Sequence, residues 1–240
     1  MTDPAASSST AVGAGPAARP ARDLIVVGTG AFAEVATAYF EAYGGHTVIA
    51  YACHARYREA ETFNGRPVLA LETLHLTHPP SDALSVFVAI GYRKMNTLRQ
   101  AVFDEVTARG WTCATFVHPG VKIWPSTRLG RNVFIFEDNT IQPFTAIGDN
   151  TILWSGNHLG HHSTVGRHCF VSSHVVISGS CRLGDNLFIG VNATFHDGLN
   201  IADHCLIGAG ALITRDTTPH EVYVPASTKP FPKASHELDF

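Results

Sequence analysis

Residues 147–189, IGDNTILWSGNHLGHHSTVGRHCFVSSHVVISGSCRLGDNLFI, place an aliphatic residue at Ile147, Leu153, Leu159, Val165, Val171, Ile177, Leu183 and Ile189, always six apart. The phase runs on in both directions, back through Ile141, Ile135 and Leu129 to Ile123, and forward through Phe195, Ile201 and Ile207 to Ile213. Helices repeat every 3.6 residues and strands every two, so neither produces this period, whereas a short-repeat solenoid does. The expected fold is a left-handed parallel β-helix with three six-residue sides per coil and the aliphatic residues turned into a triangular prism. A small residue often stands four places after the aliphatic one, as at Thr145, Thr151, Ser163, Cys169, Cys181, Ala193, Cys205 and Ala211. A second period of 18 confirms the triangle: Leu129-Gly-Arg-Asn132, Ile147-Gly-Asp-Asn150, Val165-Gly-Arg-His168, Leu183-Gly-Asp-Asn186 and Ile201-Ala-Asp-His204 stack as one corner. Asparagine suits such a corner because it tolerates left-handed backbone angles.

Upstream of the repeat the pattern is different. Leu24–Val27 reads as a short buried strand, followed by Gly28-Thr-Gly30-Ala-Phe-Ala33 and a helix over Glu34–Tyr43. Further strands are expected at Thr47–Tyr51, Ser85–Ile90 and Cys113–Val117, with a helix over 96–109 that turns Leu98, Val102 and Val106 to one side. This alternation implies a small, Rossmann-like parallel α/β domain. The chain therefore divides into a disordered tail (1–22, rich in Ala, Ser, Pro and Gly), an α/β domain (23–118), a β-helix (119–217) and a C-terminal cap or tail (218–240). The last segment leaves the repeat and is expected to cover the open end of the β-helix, where unpaired strand edges would otherwise invite association.

Bulk composition narrows the function. The 240 residues carry a formal charge of −3, which argues against a nucleic-acid binder, and no apolar run reaches membrane-spanning length. The N-terminus lacks the basic start and apolar centre of a secretory signal. Five cysteines without CxxC spacing fit a reducing interior, so a cytoplasmic protein is expected. Cys169, Cys181 and Cys205 fall in the small interior slot.

Of the 14 histidines, five crowd into residues 155–174. The repeat separates them. His168, His174 and His162 each occupy the third place after an aliphatic residue, one on each corner of the prism, as does His204. His158 precedes Leu159 and points out from a side, while His161 stands at the approach to a corner. His196, beside Asp197, is a further candidate. The corner histidines read as scaffold first, whereas His158, His161 and His196 are left open as surface residues, metal ligands or a catalytic base.

Taken together, Val27-Gly-Thr-Gly-Ala-Phe32, Val88-Ala-Ile-Gly91, the long six-residue array and Ile207-Gly-Ala-Gly-Ala-Leu212 resemble the sialic-acid-type sugar O-/N-acyltransferases, a hexapeptide-repeat family with bacillosamine and perosamine N-acetyltransferases among its members. The resemblance covers residues 23–228. It implies a homotrimer with active sites between adjacent β-helices. Acetyl-CoA would lie along the β-helix, the N-terminal domain would hold a nucleotide-linked amino sugar, and no metal would take part. Counted through the repeat, the family's general base falls on His161, with His162 and His158 as further catalytic candidates. An imidazole suits the task, because it can accept a proton at neutral pH. By the same count Gly179, Val191 and Ala209 line the pantetheine arm, and Gly28, Gly30 and Gly91 fall to the substrate side.

Two departures stand out. Relatives often follow the catalytic histidine with a glutamate, and here His162 takes that place. They also tend to carry an acid after the second strand, and Tyr51-Ala-Cys-His54 has none. The Gly28-Thr-Gly30 turn can approach a phosphate at a helix N-terminus, or simply pack a strand tightly against a helix. The expected activity is acetyl-CoA-dependent N-acylation of an amino sugar. O-acylation, a zinc enzyme resembling the γ-type carbonic anhydrases, and a non-catalytic sugar-nucleotide binder are the alternatives.

Overall fold

In the computed structural model, which describes residues 22–239, the hydrophobic runs near the N-terminus build one layered α/β unit. β1 (Arg22–Val27) is followed by α1 (Ala31–Tyr43), β2 (His46–Cys53), β3 (Thr62–Phe63), β4 (Arg66–Ala70) and α2 (Leu74–Thr77). β5 (Leu84–Val88), α3 (Thr97–Ala108) and β6 (Thr112–Cys113) complete it. The sheet order is β3-β4-β2-β1-β5-β6, and all neighbours run parallel except β3 with β4. The short β3 and β4, with little apolar periodicity, were not legible as strands. The tail read over residues 1–22 lies, but for Arg22, outside the described residues.

Two local readings need correction. Cys113–Val117 is not one strand: Thr112–Cys113 pairs with β5, whereas Phe116–Val117 pairs with Phe134–Ile135 and starts the β-helix. α3 is also rotated from the expected face. Arg99, Val102, Phe103 and Val106 are buried and Leu98 is 38 % exposed, because the helix aims Arg99 at the β-helix.

From Phe116 onward, two-residue strands pair in parallel with their counterparts 18 residues away, as in Thr140↔His158↔Val176. Three sheets result, one for each side of the left-handed prism. One side carries His158, a second carries Arg128 and Arg182, and the third turns Phe116, Phe134, Ile152, Phe170 and Phe188 outward. Every sixth residue from Asn132 to Gly210 sits at a corner with φ between +54° and +77°. The left-handed region costs most residues about 1–2 kcal/mol, so Asn, Asp, Gly and His predominate there. His162, His168, His174 and His204 all occupy such corners, with φ of +58° to +60°. The five cysteines are free and buried.

The aromatic side explains how the two units join. Phe40 and Tyr39 of α1 pack edge-on against Phe134 and Phe136, and Phe136 stacks on Trp154 at 4.5 Å. Phe134 is fully buried and Phe136 is 2 % exposed, so each ring contributes about 1.5–3 kcal/mol of transfer energy to the junction. Arg99 closes the same interface at a corner. Its guanidinium donates to the carbonyls of Asn150, His168, Cys169, Ile90 and Gly91 at 2.9–3.4 Å. At the other end Val222–Tyr223 adds a strand beside Leu206–Ile207, and beyond it Val224 and Phe231 are exposed. Among the described residues no helix is long and apolar enough to cross a membrane.

Candidate active site

His161 lies where the His158 side turns a corner toward the side that carries Arg182. The residue leaves strand geometry at Gly160, and its backbone N–H donates to Gln142 Oε1 of the preceding coil at 2.8 Å. Its ring extends over Gly179 of the following coil. A Cβ at Gly179 would stand 2.7 Å from His161 Cε1 and 3.0 Å from Nε2, so a side chain there would displace the ring. Next along the chain, His162 is held at φ +58° and stacks on Phe144 with centroids 4.7 Å apart and planes at 27°. The two imidazoles meet nearly at right angles, with Nδ1 facing Nδ1 at 3.2 Å. Both residues are exposed, and the corner projects a hydrogen-bonded pair of bases into solvent.

The other candidates sit apart from that pair. His158 is half-buried on the flat side, between Thr140 and Val176 in the parallel ladder. His196 is exposed and turned to its own neighbour, 3.4 Å from the Asp197 carboxylate. Of the three residues expected along the pantetheine arm, Gly179 lies against His161. Val191 and Ala209 lie on a different corner, 18 residues apart, and both are exposed. Within one chain the His158 side separates them from His161. Gly28, Gly30 and Gly91 likewise have distinct surroundings. Gly28, at φ +136°, lets the end of β1 approach Ala89, whose carbonyl oxygen would be 2.6 Å from any Cβ. Gly30 precedes α1 and its carbonyl receives the Ala33 N–H, while the Gly91 carbonyl is committed to Arg99.

A cavity of about 260 Å³ opens at the C-terminal ends of β1 and β2, lined by Gly28, His54, Tyr57, Ile90, Leu98 and Glu105 among others. The chain leaves β1 toward β2 on one side and β5 on the other, and open α/β sheets bind ligands at such crossing points. His54, in the place where an acid was expected, has carboxylates on both flanks. Glu72 lies 3.2 Å from Nδ1 and Glu105 lies 3.1 Å from Nε2, and Glu105 also pairs with Arg109 at 2.7 Å. The acids therefore come from α3 and from the turn before α2, which no local motif could reveal. Phe144 was missed as well, although the repeat offers a signal: a bulky aromatic occupies a slot otherwise held by Asn, Asp, Ser, His or Gly. Among the described residues, no three His, Cys, Asp or Glu side chains are grouped so as to hold a metal ion.

Comparison with known proteins agrees with this architecture. Residues 144–179 match the bacterial transferase hexapeptide model of six repeats. None of the curated protein sequences matches the chain. Among solved structures, PerB from Caulobacter crescentus, in complex with CoA and GDP-perosamine, is 29% identical with a TM-score of 0.73, over 87% of this chain and 97% of that one. A histidine-to-asparagine mutant of perosamine N-acetyltransferase from the same organism, also in complex with CoA and GDP-perosamine, gives 27% identity and a TM-score of 0.75 over the same shares. The acetyltransferase domain of PglB from Neisseria gonorrhoeae shares the fold, at 23% identity and a TM-score of 0.71 over 84% of this chain and 95% of that one. Residues 144–179 thus carry the bacterial transferase hexapeptide, and the chain shares the fold of the perosamine enzymes over nearly its whole length, which is the likeness of an acyltransferase.

Proposed function

We propose that this protein transfers the acetyl group of acetyl-CoA to the amine of a nucleotide-linked amino sugar, in the cytoplasm, with His161 as the general base. The observation that carries this reading is the likeness to PerB over nearly the whole of both chains. In the reaction the free amine attacks the thioester carbonyl carbon and the C–S bond breaks. The proton lost by the nitrogen passes to His161 Nε2 and then to the departing CoA sulfur. Backbone N–H groups at the glycine-rich corners supply donors for the transient oxyanion. The nucleotide end of the substrate would lie in the cavity at the ends of β1 and β2, which Gly28 lines.

Gly179 on one corner and Val191 with Ala209 on another are separated within a single chain, so a CoA touching all three would pass between two copies. A homotrimer, with one site in each cleft, meets this need. The test is acetyl-CoA consumption, read as free thiol, against a panel of nucleotide-linked 3- and 4-amino sugars that includes GDP-perosamine. Turnover with at least one member, reduced about a hundredfold or more by His161→Ala in a trimer of unchanged mass, is the expected result. Absence of turnover and of acetyl-CoA binding across the panel overturns it.

A further inference from the structure

The residue that follows His161 is a second histidine, and its geometry gives it a task. Its backbone is a corner, but its ring is held by more than the corner requires: one face lies on Phe144, and Nδ1 faces His161 Nδ1 at 3.2 Å. Two facing imidazole nitrogens form a hydrogen bond only when one carries the proton and the other is bare. If His162 donates, His161 must be protonated on Nε2 when neutral, and that nitrogen cannot take a proton from an amine. When His161 donates from Nδ1 instead, its Nε2 lone pair is free, on the ring edge that overhangs Gly179. Among the described residues neither ring has a carboxylate partner to make this choice.

We propose that His162 is the positioning residue of the site: its Nδ1 accepts the His161 Nδ1–H and so holds His161 in the tautomer whose Nε2 is a base. This rests on the reading of His161 as the general base. Phe144 fixes the His162 ring in the plane that keeps the acceptor aimed, which accounts for a bulky aromatic, 59 % exposed, at φ +63°. The Gln142 side chain anchors His161 from the other side through its backbone N–H. A carboxylate in place of His162 would add a full counter-charge. A neutral imidazole supplies orientation alone.

Long-range proton–nitrogen NMR spectra of the imidazoles test this in the protein without substrate. At a pH where both rings are neutral, His161 is expected as the Nδ1–H tautomer in the wild-type chain. It should turn predominantly to Nε2–H in His162→Gly, which adopts the same positive φ without strain. His162→Asn also tolerates the corner and restores an acceptor, so it should recover the Nδ1–H tautomer. Turnover of whichever amino sugar the panel identifies should fall about tenfold in His162→Gly, with an unchanged KM for acetyl-CoA, and return most of the way in His162→Asn. An Nε2–H tautomer in the wild-type chain, or a His162→Gly protein with wild-type kcat, overturns the proposal. If His161→Asn remains fully active, the base reading falls and this role falls with it. If His161→Asn is inactive while His162→Gly turns over normally, only the positioning role is lost.

Discussion

His162 and His168 occupy the same slot of the same repeat one side apart, with φ of +58° and +60°, yet they meet opposite surroundings. His168 belongs to the column Asn132, Asn150, His168, Asn186 and His204, whose first four members the α/β unit contacts. It is 2 % exposed, its Nδ1 lies 2.9 Å from Asn150 Nδ2, and its ring stands edge-on to Phe103 of α3. Burial, reinforced by Arg167, pulls its pKa below the usual histidine value. His162 lies on a corner that is exposed among the described residues, with Phe144 on one face and His161 at its edge. The slot decides the backbone, and the neighbour decides whether an imidazole serves as a spacer in a buried polar ladder or stands exposed beside a second imidazole.

Removing what separates the two corners should have the largest effect. Arg99 is fully buried with no carboxylate partner among the described residues, and burial takes its guanidinium down to about 9, still charged at neutral pH. Arg99→Met leaves five interface carbonyls short of a donor and should cost about 3–5 kcal/mol in denaturant unfolding. The exposed corner has no such dependence. Gly179→Ala there should lower turnover about tenfold by pushing the His161 ring aside, worth about 1.4 kcal/mol in the barrier, while unfolding shifts little because a ring can swing away from a methyl group.

Phe144→Asn relieves a left-handed aromatic and should raise stability by about 1 kcal/mol at the expense of turnover. A loss of stability would mean that Phe144 is chiefly packed rather than poised. The smallest effect concerns pH. Because the folded-state pKa of His168 is depressed, the unfolded chain binds the extra proton first. The stability that His168 contributes is fully present above the ordinary histidine pKa of about 6.5 and is lost as pH falls toward the depressed value. His168→Asn should flatten that acid limb of the stability profile by less than about 1 kcal/mol.

The periodicity alone determined the β-helix, because an inward aliphatic residue and a left-handed corner are demanded of every six residues whatever surrounds them. It also identified His162, His168, His174 and His204 as corner residues and singled out His161 as standing off the corner. What it could not carry was anything set by contact between distant segments. The short strands β3 and β4 have too few residues for a pattern. The rotation of α3 follows from Arg99 finding carbonyls on a corner some 50–70 residues away, and the flanking of His54 by Glu72 and Glu105 follows from packing of a turn and a helix. That one histidine corner is buried and another exposed depends on which side of the prism carries the aromatic stripe, where Phe116 and Phe134 meet α1 and Phe170 and Phe188 meet Tyr92. A local repeat fixes the direction in which each side chain leaves the coil. Only the tertiary structure decides what it meets there, because burial, hydrogen-bond partners and the proton affinity of a ring all belong to the neighbour.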